Sequence, residues 1–124
     1  MYKLEKERIT MKNEINTLLE TIKNDYYDWT VRCKKGADNF SDHNHKMIND
    51  FNNGLEIKEG QKYIKVISNR SVWGFIVKGD NDKIFRKGDI LKAAGYNAPA
   101  RNAPRGNIID GGYTVQWTGP LYLK

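Results

Sequence analysis

Cysteine is nearly absent from this 124-residue chain: Cys33 is the only one, so no disulfide forms within the chain and a reducing compartment fits. Read with its two histidines, Cys33 suits a small core or boundary thiol better than a nucleophile. No apolar run approaches the roughly 20 residues a membrane helix needs, so no membrane partner is expected. The opening MYKLEKERIT alternates charges and has no apolar core, unlike a secretory signal. The second half lacks glutamate and histidine altogether. Its only carboxylates are Asp80, Asp82, Asp89 and Asp110, which is poor material for a metal site or for acid–base pairs. The twelve-residue calcium pattern fails in the GDNDK stretch, and no GxxxxGK[ST] phosphate loop is present. These absences favour a non-enzymatic protein that needs neither metal nor cofactor.

What the chain does carry is an uneven charge. Residues 61–124 hold 11 Lys and Arg against 4 Asp, a net of +7, whereas residues 1–60 come to −1. Asymmetry of this kind points to an anionic partner for the basic half. A lysine-rich solvated surface would give the same composition.

The length suits one domain, 1–124, with a helical part at 1–56 and a basic β-rich module at 61–124. Leu4, Met11, Ile15, Leu18, Ile22, Trp29 and Cys33 follow an alternating three-and-four spacing, with Arg8 and Tyr26 between them. That stripe predicts an amphipathic helix from Tyr2 to Lys34, charged on its other faces by residues such as Glu5, Lys12 and Glu20. The helix has three ways to bury its stripe: on its own sheet, against a second copy, or after a break near Asn24–Asp25. Lys35–Gly36 reads as its stop. Ser41 reads as the N-cap of a short second helix whose apolar face is Met47, Ile48, Phe51 and Leu55, ending near Gly54. His43 and His45 sit two apart in its first turn and read as solvent-exposed.

From Gln61 the period changes to that of strands. Tyr63–Ile67, Val72–Val77, Lys83–Lys87 with Asp89–Lys92 as one strand or a hairpin around Gly88, and Tyr113–Thr118 are the predicted strands. Breakers at Asn69–Arg70, Gly79–Asp82, Asp110–Gly112 and Gly119–Pro120 separate them. Leu121–Leu123 is expected to close against the core. The fold class is therefore α+β: one long and one short N-terminal helix on a small, mainly antiparallel sheet or partly open barrel.

The candidate site is the loop inside KGDILKAAGYNAPARNAPRGN. Pro99 and Pro104 stiffen it and push the residues before them towards extended geometry. Arg101 and Arg105 ride on it, and guanidiniums grip phosphate or carboxylate in a two-pronged fashion. Asn107, Lys92 and Arg70 extend the set, and Tyr96 offers a ring on which a base can stack. Together they predict binding of nucleic acid or another polyanion. In the competing arrangement both arginines pair internally with Asp89 or Asp110 and pin the loop to the sheet. Trp73, Trp117 and Tyr113 read as core rather than as stacking platforms. A reading of a different class makes the long helix a contact for a phage or host protein, or for a second copy.

Several pieces of the second half form a recognisable combination. They are Arg70-Ser71-Val72, Gly88-Asp89-Ile90-Leu91-Lys92-Ala93-Ala94, Ala98-Pro99-Ala100-Arg101, Arg105-Gly106-Asn107-Ile108 and Gly119-Pro120-Leu121-Tyr122-Leu123. The combination resembles a widespread group of small, uncharacterised tailed-phage proteins, over residues 61–123. The resemblance implies a phage origin, a shared C-terminal module, and a place in the host cytoplasm or the virion. It implies no catalytic residue.

Overall fold

The computed structural model describes the backbone of residues 2–120 and the side chains of residues 11–120. The side-chain expectations for Leu4, Glu5 and Arg8, and the closing segment Leu121–Leu123, lie outside the described residues.

Helix α1 runs unbroken from Tyr2 to Lys34, so the break near Asn24–Asp25 does not occur. Met11, Ile15, Leu18, Ile22 and Tyr26 are buried along it, and the line then continues to Thr30. Trp29 stays 39% exposed and Cys33 is exposed, which corrects the expectation for both. The reason is helical drift: a spacing of 3.5 rotates by about 20° per heptad on a straight 3.6-residue helix. After Ile22 the sheet-facing line therefore proceeds in steps of four. Lys35, with φ 58°, turns the chain at the C-terminus, and the Gly36 amide bonds the Val31 carbonyl at 2.9 Å. This is the backbone pattern that satisfies orphan carbonyls at helix ends.

A single 3-10 turn, Ala37–Asn39, leads to helix α2, Asp42–Asn53. Ser41 caps it as expected. Its Oγ accepts from the Asn44 amide, and Asn44 Oδ1 accepts from the Ser41 amide at 2.9 Å. His43 and His45 are exposed. Met47 is exposed as well, so the packing face of α2 is Ile48 and Phe51.

Strands β1 (Leu55–Glu59), β2 (Tyr63–Ser68), β3 (Ser71–Val77) and β4 (Ile90–Leu91) form one antiparallel sheet in chain order. The sheet is open rather than barrel-like. β1 starts at Leu55, a residue read from sequence as part of the α2 face. Two small hairpins complete the fold: β5 (Ala93–Gly95) with β6 (Ala98–Pro99), and β7 (Val115–Gln116) with β8 (Gly119–Pro120). The predicted strand at Lys83–Lys87 is irregular chain instead, because Asp82 Oδ1 takes the Ile84 and Phe85 amides at 2.9 and 3.0 Å.

Alternation across β2 and β3 divides the core. Ile64, Val66 and Ile76 pack on α1 with Leu18, Ile22 and Tyr26. Phe75, Val77, Phe85 and Leu91 fill the opposite face beneath the 78–105 segment. A register shift after Val66 leaves Trp73 as the extra residue of β3, which turns its ring to the α1 side with Ile76. The Trp73 indole N–H donates to the Gln116 carbonyl at 2.8 Å, and Asp25 of α1 accepts from the Trp117 amide at 2.9 Å. These two bonds fasten the last hairpin to sheet and helix. No described helix is long and apolar enough to cross a membrane.

Candidate nucleic-acid interface

The two arginines of the proline loop have different surroundings, and neither simply faces outward. Arg101 Nη2 donates to Asp82 Oδ1 at 3.0 Å, and Nη1 donates to the Tyr63 hydroxyl. Its guanidinium also lies 4.8 Å from the centre of the Phe85 ring. The internal arrangement is thus realised for Arg101, with Asp82 as partner in place of Asp89 or Asp110. Asp110 pairs instead with Arg86, at 2.8 Å. Arg105 is half-buried, and its Nε and Nη1 are shielded from solvent without a hydrogen-bond partner. Unpaired buried donors of this kind weaken a fold.

Asn107 is not available to a ligand, which corrects its assignment. It is 6% exposed and all of its side-chain capacity is used internally. Nδ2 donates to the Lys87 carbonyl and to Asp89 Oδ1, both at 2.9 Å, while Oδ1 accepts from the Ile109 and Asp110 amides at 2.8 and 3.1 Å. Asp89 Oδ2 in turn accepts from the Arg86 amide at 2.9 Å. Gly88, with φ 90°, passes so close that a Cβ would meet Asn107 Oδ1 at 3.0 Å. The Gly-Asp and Arg-Gly-Asn pieces of the sequence are therefore two halves of one lock that closes the 89–107 loop.

Lys92 is half-buried between β4 and β5, and its carbonyl accepts from the Ala100 amide at 2.7 Å. Arg70 is exposed in the β2–β3 turn. That turn is at the far end of β2 from Tyr63, about 20 Å away at 3.3 Å per residue. The structure thus separates Arg70 from the proline loop. Tyr96 is 52% exposed at the tip of the β5–β6 hairpin, with Lys65 Nζ 4.2 Å from its ring centre.

A basic surface does exist, but on lysines that composition alone did not single out. Lys58 of β1 lies directly opposite Lys65 of β2, on the same face. Both line a groove of about 260 Å³ with Lys62, Tyr63 and Asn97. Lys65 is held by Asn97 Oδ1 at 2.8 Å and by the Tyr96 ring, whereas Lys58 has no partner among the described residues. Glu59, the groove's one carboxylate, is paired with Lys78 at 3.4 Å. Like charges directly across a strand pair are unfavourable. Only the strand register reveals this arrangement.

Asp82 joins the groove to the proline loop. Its side chain is 2% exposed and lies 3.5 Å from Lys62 Nζ as well as against Arg101. The Arg101 hydrogen bond, followed by the Phe85 and Ile84 amides, holds its carboxyl well below the usual carboxylate range. A carboxyl lowered on folding adds stability above its unfolded value, near 4, and loses that contribution as pH falls towards the folded value. The melting temperature of Asp82→Asn is therefore expected to lie below wild type by a constant gap from pH 5 to 8, as followed by circular dichroism. That gap should narrow below about pH 4. A gap that widens in acid would show that Asp82 does not carry the charge that holds the loop.

A family model matches residues 2–123, nearly the whole chain. The chain belongs to DUF7717, a family of unknown function. No curated protein and no solved structure matches this DUF7717 chain. Among its described residues, no group of three or more His, Cys, Asp and Glu side chains is placed to hold a metal ion.

Proposed function

We propose that this DUF7717 chain is a non-enzymatic protein that binds nucleic acid through the lysine groove on the β1–β2 face. The carrying observation is the cross-strand pair Lys58 and Lys65, with Lys62 in the same groove and the exposed Tyr96 beside it. Three ammonium groups on one strip suit a polyphosphate, and a ring at its edge suits an unpaired base. Arg101 supports the strip by holding Asp82 and Tyr63, rather than by gripping phosphate itself. The resemblance to small tailed-phage proteins supports a phage origin and a place in the host cytoplasm or the virion.

Fluorescence anisotropy with labelled single-stranded and duplex oligonucleotides tests the binding. Three phosphate contacts give a log–log salt slope of about −2 on single strands, or roughly 20-fold weaker binding between 50 and 200 mM salt. Lys58→Glu is the diagnostic variant. It places an opposite charge across from Lys65, which should leave stability unchanged or raise it by about 0.2–1 kcal/mol. Affinity should fall by about 30-fold, from one attraction lost and one repulsion gained at roughly 1 kcal/mol each. Affinity that is flat in salt, or unchanged in this variant, removes the proposal.

A second reading, contact with a phage or host protein through α1, is favoured by Tyr27 and Trp29, which stay 42% and 39% exposed on that helix. Light scattering and capture from infected cells, each with nuclease, separate the two. A nuclease-resistant complex favours α1, and a nuclease-sensitive one favours the groove.

A further inference from the structure

At the opposite end of the sheet, beside the β2–β3 turn, lies a second recess of about 310 Å³. Phe51, Val72, Trp73 and Trp117 form its walls, Asn69 and Ser71 lie on its rim, and no carboxylate lines it. Its size falls at the lower end of small-ligand sites, which run from about 300 Å³ and combine apolar walls with a few polar groups.

The walls are held rigidly. Trp117 stands edge-on to Tyr26 at 5.0 Å and to Phe51 at 5.8 Å, and it leans on Trp29 at 5.2 Å. The Trp73 indole N–H is committed to the Gln116 carbonyl, so Trp73 contributes its ring rather than a donor. Trp117 remains only partly buried. The sequence reading of both tryptophans as core thus holds for Trp73 and is incomplete for Trp117.

The turn supplies a cation. Asn69 and Arg70 both take positive φ, 48° and 71°. Two-residue hairpin turns of this kind favour Asn followed by Gly. Here an arginine occupies the glycine position against its conformational preference, exposed, flanked by the two rim residues, and without a partner among the described residues. A neutral aromatic recess, with an exposed arginine in the turn between its rim residues Asn69 and Ser71, is complementary to a ligand that is planar at one end and anionic at the other.

We infer that this recess binds one nucleotide unit, with the base against Trp117 and Val72 and the phosphate on Arg70. The unit is either a free nucleotide or one residue of a single-stranded nucleic acid. The site is separate from the lysine groove and does not require it.

The chain reports on this site itself, because two of its three tryptophans line the recess and the third, Trp29, touches Trp117. Titration of the full-length protein with AMP should quench tryptophan emission saturably, while inorganic phosphate should not. Arg70→Gly is the informative variant, since glycine suits the turn and the fold is kept. It should weaken AMP binding about tenfold, as expected for loss of a hydrogen bond to a charged group, and leave adenosine binding unchanged. A short oligodeoxyadenylate that quenches at lower concentration than AMP identifies a strand as the source, and the reverse order identifies a free nucleotide. Lys58→Glu should not alter the AMP titration. Absence of saturable quenching by either AMP or the oligonucleotide overturns the inference, as does equal AMP affinity in wild type and Arg70→Gly.

Discussion

Replacing Asn107 with alanine is expected to lower stability by about 3–5 kcal/mol, the range for removing one partner of a buried charge. The side chain bridges two segments, 87–89 and 109–110. It donates to Lys87 and Asp89 and receives from Ile109 and Asp110, all within 3.1 Å. Alanine leaves the Lys87 carbonyl and two amides without their partner. It also leaves Asp89, at 6% exposure, with one oxygen unpaired and only the Arg86 amide on the other. Urea denaturation measures the loss, and the double variant Asp89→Ala with Asn107→Ala distinguishes its source. If the unpaired charge dominates, the pair should cost less than the sum of the singles, because removing Asp89 removes the orphan. A loss under about 1 kcal/mol would place Asn107 among ordinary surface residues. In the folded fraction nucleic-acid affinity should be unchanged, since Asn107 faces the lock and not the groove.

The helices were legible because their signals are local. The spacing of Met11, Ile15, Leu18 and Ile22 and the cap at Ser41 depend on neighbours within two turns. Strands β2 and β3 were legible for the same reason, being runs of β-branched and aromatic residues between turn residues. β1 was missed because Leu55-Glu56-Ile57-Lys58-Glu59 has only two apolar residues and becomes a strand by pairing with β2. The site was the least legible part. Arg101 and Asp82 are nineteen residues apart and meet only through the fold. The Lys58–Lys65 pair depends on a register that one residue of slip would erase. The proline loop turns much of itself inward, with Arg101 on Asp82 and Asn107 on Asp89, where the sequence pattern alone points it outward.

Gly106→Ala separates those two purposes, because it adds a methyl group and removes no charge. Gly106 has φ 146°, and a Cβ there would lie 2.6 Å from the Tyr113 Cβ. That neighbour is the stem of its side chain, so no rotamer change moves it away. The backbone has no freedom to shift either: the Gly106 carbonyl accepts from the Ile90 amide, and the Arg105 amide donates to the Ile90 carbonyl, both at 2.8 Å. Ile90 is itself fully buried. Backbone strain of roughly 1–3 kcal/mol and overpacking of similar size act together, for an expected loss of about 2–6 kcal/mol. Gly95→Ala is the control, since nothing lies within 4 Å of a Cβ at that position. Its effect should stay within about 0.5 kcal/mol. If Gly106→Ala unfolds as easily as predicted while its folded fraction keeps wild-type, salt-dependent DNA binding, the Arg-Gly-Asn piece is a structural clasp. The ligand then belongs to the lysines. Wild-type stability with lost binding would reverse that assignment and return the partner to Arg105.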